Sequence, residues 1–195
     1  PNPDRPLKVG ILSSDLYGHP IGVNLLGYFE RHDPRGYPLH VYSVGGREDG
    51  IRAILRRHTA VWRDLKQMGD RDVADRIRAD GIDFLIHTAA HTAQNRPLVS
   101  AYKPAPLIAS YGDFTTTGLK TIDYILTDPV IHPHETTERL YEHPLRLPLM
   151  VIHAPLVGSP QVGPLPADET GAITFASFNN PAKLNPLSEA MLTRL

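Results

Sequence analysis

The 195-residue sequence contains no cysteine. Disulfide cross-links and thiolate metal sites are therefore excluded, and a reducing, cytoplasmic setting is the expectation. Charge of one sign is also lacking: 20 Lys and Arg against 21 Asp and Glu leave a formal net charge of −1. There is then no bulk field to draw the chain to nucleic acid or to an anionic membrane surface. No apolar run approaches the roughly 18 residues that a membrane-spanning helix needs. What is present is a hydrophobic share of 41%, ample for a core in a chain of this length. The 19 prolines and ten histidines point to a loop-rich surface with many X-Pro corners. The opening PNPDRP reads as a linker, so the chain is expected to be a piece of a longer protein.

Hydrophobic periodicity places the elements. Strands are expected at Leu7–Ser13, Leu39–Val44, Val61–Asp64, Ile82–His87, Pro106–Ser110 and Tyr124–Thr127, with Leu145–Leu149 extended. Helices are expected at Ile21–Arg31, Ile51–Ala60, Asp70–Asp80, Leu98–Ala101 and Glu138–Tyr141. The clearest is DRDVADRIRAD, with Val73, Ala74 and Ile77 on one face and Gly81 as its C-cap. Gly45–Gly50 reads as a flexible charged loop. Strand–helix alternation of this kind gives an α/β fold with a parallel sheet and right-handed crossovers. Residues 158–170, GSPQVGPLPADET, read as a linker. A new strand, Ile173–Phe178, and a helix, Leu187–Leu195, then suggest the opening of a second α/β domain.

Chemistry-bearing residues gather in four loops that follow strands, where open α/β sheets bind their ligands. The first carries Asp15, Tyr17, Gly18 and His19 ahead of Pro20. Two readings stand: His19 at a helix N-terminus meets a phosphate or exchanges a proton, or Asp15 caps the helix and His19 is an ordinary surface residue. Spacing alone leans to the second. The next loop runs from His87 through His91 and Thr92 to Arg96. Its two histidines straddle a strand end with no acid to complete a ligand set, so a metal is the weaker reading. In the third loop, Thr115, Thr116 and Thr117 lie between Gly112 and Gly118; their hydroxyls suit a sugar or phosphate, or equally a local turn. The fourth, Asn179-Asn180-Pro181-Ala182-Lys183, is a plausible pyrophosphate site or a solvated loop. His132-Pro133-His134-Glu135 reads as a loop because Pro133 breaks any shared face. Taken together, the loops suggest a cleft between two domains.

In this order, the segments VGILSSDLYGHP, ADRIRADGIDFLI, HTAQNRP, YKPAPLIAS, TTTGLKTIDYILTDP and ITFASFNNPAKLNP resemble the O-linked N-acetylglucosamine transferase family, which includes the SPINDLY-type proteins and bacterial homologues. The resemblance implies a GT-B glycosyltransferase: residues 7–157 as the N-terminal Rossmann-like lobe, 158–170 as a linker and 171–195 as the start of the C-terminal lobe. Tetratricopeptide repeats would precede residues 1–6 and offer a route to a homo-oligomer. The implied reaction is inverting transfer of N-acetylglucosamine from UDP to Ser or Thr hydroxyls of proteins, in the cytoplasm and without a metal or other cofactor. Asp15 and His19 match the family's D-x-x-x-H-P motif, whose acid and histidine are both catalytic candidates. Pro20 and Ile21 match positions near the sugar. His91, Thr92, Thr116, Thr117, Asn179 and Asn180 match donor-binding positions, and Lys183 matches the lysine that meets the pyrophosphate. The chain departs from the family pattern at His87, where an acid is usual, at Ala90, where a glycine is usual, at Ala182, where some members carry a tyrosine, and across Asp113–Thr115. The alternatives are transfer of fucose from GDP-fucose, a sugar-nucleotide epimerase, and a catalytically weak sugar-nucleotide-binding or scaffold homologue.

Overall fold

Strand β1 (Val9–Ser13) forms because its residues are apolar or small and alternate between two buried faces. In the computed structural model, which describes residues 4–89, 91–150, 159–178 and 180–193, it is an interior strand of a seven-stranded sheet. The other strands are β2 (Leu39–Ser43), β3 (Val61–Asp64), β4 (Phe84–Thr88), β5 (Leu107–Tyr111), β6 (Tyr124–Thr127) and β7 (His143–Arg146), in the order β3-β2-β1-β4-β5-β6-β7. Every pairing is parallel, and Ile11 sits opposite Val41 on one side and Ile86 on the other. The strand order reverses between β1 and β4. That is the topological switch point, where the strand ends leave a crevice.

Helices α1 (Pro20–Arg31) and α2 (Gly50–Arg57) cover one face, burying Ile21, Leu25, Phe29 and Leu55 against Ile11 and Val41. On the other face, α3 (Asp70–Ala79) and α4 (Pro97–Ala101) bury Val73, Ala74, Ile77 and Val99 against Leu12, Tyr42, Leu85 and Ile108. The apolar positions of α3 recur at helical spacing on one stripe, as its sequence requires. The chain then enters Gly81 at φ +67, a left-handed turn that suits glycine.

Two expected elements differ. Residues 138–141 are not helical. Four residues are too few to nucleate a helix unaided; here the Tyr141 N–H is spent on Thr116 Oγ1 and the Glu138 carboxylate lies 3.3 Å from His132 Nε2. Residues 173–178 are not a strand, since among the described residues no neighbouring strand pairs with them, and Ile173 and Phe175 are exposed.

Packing divides the chain into two compact units, Pro1–Ala154 and Pro155–Leu195. The second holds α5 (Pro166–Thr170), a 3₁₀ turn at Pro181–Lys183 and α6 (Pro186–Leu192). The last of these begins on a reciprocal cap between Asn185 and Ser188, which satisfies two otherwise free N–H groups. No helix among the described residues is long and apolar enough to cross a membrane.

Candidate active site at the sheet's carboxyl edge

The site begins where β1 and β4 end side by side. Ser13 Oγ accepts from Thr88 Oγ1 at 2.7 Å and from the Asp15 N–H at 2.9 Å, so one buried hydroxyl ties the two strand ends and turns the chain toward Asp15. The Asp15 carboxylate is itself buried. Its Oδ2 accepts from Asn95 Nδ2 at 3.1 Å and from Thr92 Oγ1 at 3.3 Å. Among the described residues these are its side-chain partners, so its hydrogen bonds run to the second loop and not to His19.

His19 is the N-cap of α1, with Pro20 at the first helical position. Its Nδ1 accepts from the Ile21 N–H at 3.3 Å. In the neutral ring that contact leaves the proton on Nε2. Pro20 is exposed and Ile21 is buried. Gly112, at φ +81, lets the third loop approach Ile21: a Cβ there would stand 2.5 Å from Ile21 Cδ1.

Asn95 is the hub of the second loop. Its Oδ1 accepts from the Ser14 N–H at 3.2 Å, while its amide donates to Asp15 Oδ2 and to the Ala89 carbonyl at 2.5 Å. Arg96 then anchors the loop to Asp70 of α3 at 2.5 Å. His91 is exposed, and its Nε2 donates to the Thr116 carbonyl at 3.0 Å, linking the second and third loops. Thr116 Oγ1 donates to Glu142 Oε2 at 2.8 Å. The Thr117 N–H donates to Glu142 Oε1 at 2.8 Å, and the Thr117 hydroxyl donates to the same oxygen. Glu142 is buried, so these bonds offset the cost of desolvating its charge.

The structure thus brings together Asp15, His19, Ile21, His91, Thr92, Thr116 and Thr117. It commits the two threonine hydroxyls to a carboxylate. Asn180 belongs to the second unit, where its Oδ1 accepts from the Ala182 N–H at 3.0 Å. Asn179 and the Lys183 side chain lie outside the described residues. Asn95 lies in the second loop that the sequence marks, though not singled out there, and supports it by hydrogen bonds; Glu142, which holds the third loop, is absent from the sequence reading. An amide four residues beyond His91 was a usable signal; Glu142 offered none.

His87 is interior. It points to the α4 side of the sheet, with Nδ1 2.8 Å from Ser100 Oγ. Burial, and secondarily the nearby His91, push its pKa down to about 4. The ring is therefore neutral in the folded protein and does not supply the acid usual at this position. Below an ordinary histidine pKa the unfolded chain takes up a proton that the folded chain refuses, so stability falls as pH drops. The part of this loss due to His87 is expected to be about 3 kcal/mol between about pH 6.5 and pH 4, read by chemical denaturation. His87→Gln keeps a partner for Ser100 without titrating and should lack that part of the slope.

The sequence profile of glycosyl transferase family 41 matches residues 2–159. A SPINDLY protein of Arabidopsis thaliana, described as a probable UDP-N-acetylglucosamine–peptide N-acetylglucosaminyltransferase, is 34% identical over 194 residues, covering 95% of this chain and 21% of that protein. The Oryza sativa protein of the same description is 35% identical over 192 residues, covering 94% and 20%. Among solved structures, a K341M mutant of Thermobaculum terrenum O-GlcNAc transferase superposes with a TM-score of 0.79 at 30% identity, covering 84% of this chain and 32% of that one. The chain spans about a fifth of the length of the curated relatives. Its parallel sheet is the Rossmann-like lobe of a GT-B fold. On the profile and these identities together, the chain belongs to glycosyltransferase family 41.

Proposed function

We propose that this chain carries the N-terminal lobe and the start of the C-terminal lobe of an inverting glycosyltransferase that moves N-acetylglucosamine from UDP-N-acetylglucosamine to Ser or Thr hydroxyls of proteins. The observation that carries the reading is the first loop. Asp15 and His19 stand at the switch point of a family 41 lobe, one braced by the second loop and the other capping a helix through Nδ1, which leaves Nε2 free of the cap. The names of the relatives support the donor and the class of acceptor.

In this reading His19 donates a hydrogen bond from Nε2–H to the reacting oxygen. Asp15 keeps the floor of the site ordered, and His91, Thr92, Thr116 and Thr117 shape the donor side. Asn179, Asn180 and Lys183 meet the diphosphate, and the positive lysine stabilises charge as UDP leaves. The chemistry then needs no metal. Repeats upstream would present the acceptor and allow self-association, in the cytoplasm.

The test is donor turnover by the full-length protein. UDP release from UDP-N-acetylglucosamine, transfer to a Ser/Thr peptide with inversion, and undiminished rate in EDTA are expected. Turnover of GDP-fucose with neither binding nor hydrolysis of UDP-N-acetylglucosamine would overturn the reading in favour of fucosyl transfer.

A further inference from the structure

The loop between β2 and α2, residues 44–49, lies directly along the first loop. Two glycines permit the approach. A Cβ on Gly45 would stand 2.7 Å from Ser14 Cβ, and one on Gly46, at φ +84, would stand 2.9 Å from Tyr17 Cδ1 and 3.1 Å from the Ser14 carbonyl. At the end of this loop Asp49 caps α2, its Oδ1 accepting from the Arg52 N–H at 2.9 Å. The other oxygen leaves the helix altogether: Asp49 Oδ2 accepts from the Gly18 N–H at 2.6 Å. One carboxylate therefore joins the start of α2 to the residue just before His19.

We propose that Asp49 is a positioning residue for sugar transfer, holding the Tyr17-Gly18-His19 turn in the shape that aims the His19 ring. The proposal rests on the catalytic reading of His19 given above. The turn is tight, with the His19 N–H on the Tyr17 carbonyl at 2.6 Å and the rings of Tyr17 and His19 5.7 Å apart. Arg47 of the same loop lies over the Tyr17 ring at 5.3 Å.

The brace is itself stiff. Arg52 is buried, and it donates to Ser43 Oγ at 3.0 Å, to Glu48 at 2.9 Å and to Asp64. Ser43 Oγ in turn donates to the Gly45 carbonyl at 3.1 Å, and Lys66 Nζ donates to the Gly46 carbonyl at 2.5 Å. The N–H groups of Arg52 and then Gly18 hold the Asp49 carboxyl below the usual carboxylate range, so the charged, two-acceptor form persists at neutral pH. Freeing the Gly18 N–H leaves the turn without its outer tie, and small misplacements of a reacting group cost rate steeply.

Asp49→Ser in the full-length protein isolates this role, because serine still caps a helix but its single short oxygen does not span to Gly18. The expected result is a kcat about 10- to 100-fold lower, with donor KM within about twofold and an unchanged melting temperature. Hydrogen exchange in the peptide spanning residues 14–20 should be about tenfold faster. A wild-type kcat, or a loss in Asp49→Ser that merely follows a lowered melting temperature, overturns the proposal. Should the wild-type protein turn over no sugar nucleotide, the functional reading fails, and the exchange rate alone decides: unchanged protection overturns the tie, and faster exchange upholds it.

Discussion

Replacing His19 with alanine is expected to lower turnover by about 10²- to 10⁴-fold while donor affinity changes only a few-fold. The ring has two jobs that the substitution removes together. Its Nδ1 caps α1 through the Ile21 N–H, a contact worth on the order of 1 kcal/mol. Its Nε2 serves the chemical step in the proposed reaction. His19→Asn separates them, since its side-chain oxygen can cap the helix but brings no imidazole to the reacting atoms. The asparagine variant should therefore match wild type in melting temperature and match the alanine variant in lost turnover. Steady-state rates at saturating donor, set beside calorimetric donor affinity, make the comparison. Equal losses in rate and affinity would assign His19 to binding and remove it from the chemical step.

The sheet was legible because parallel strands are buried on both faces and therefore read as short apolar runs between turn residues. Val9–Ser13, Leu39–Ser43 and Tyr124–Thr127 declare themselves in this way, and Asp70–Ala79 does so by its stripe of Val73, Ala74 and Ile77. The polar loops were legible for the same reason, since each follows one of those runs. What composition does not carry is the partner of a long-range hydrogen bond. Asn95 meets Asp15 across 80 positions, Asp49 meets Gly18 across 31, and Glu142 meets Thr116 across 26. For that reason residues 45–50 read as a flexible charged loop, although the structure locks them on the first loop through Gly45, Gly46 and Asp49. The threonines read equally as hydroxyls for a sugar or phosphate and as a local turn; Thr116 and Thr117 make the turn, accepting from the Gly118 and Leu119 N–H groups, and their hydroxyls donate to Glu142. Residues 173–178 fail in the opposite direction: their apolar pattern is that of a strand, but a strand needs a neighbour to receive its hydrogen bonds.

Gly22→Ala should be strongly damaging although it adds a single carbon. Gly22 lies in the first turn of α1, where alanine would ordinarily gain about 1 kcal/mol by helix propensity. Here the new Cβ would stand 2.1 Å from the Tyr17 carbonyl oxygen, 2.9 Å from the Tyr17 nitrogen and 3.0 Å from the Asp15 carbonyl oxygen. All three are backbone atoms, so no side-chain rotation relieves the contact. Either α1 moves off the sheet, opening the packing of Ile21 and Leu25, or the 15–17 backbone moves away from Asn95 and Thr92. The expected cost is about 3 kcal/mol or more, at or above the upper end for overpacking, because backbone must shift. Activity should fall with it, in kcat and KM together, as the first loop loses its shape. Gly50→Ala provides the contrast. It also lies in the first turn of a helix, with nothing within 4 Å of the added carbon, and should stabilise the protein by up to about 1 kcal/mol. Denaturant midpoints for the two variants should therefore move in opposite directions; a Gly22→Ala midpoint at or above wild type would mean that α1 does not press on the first loop in the folded protein.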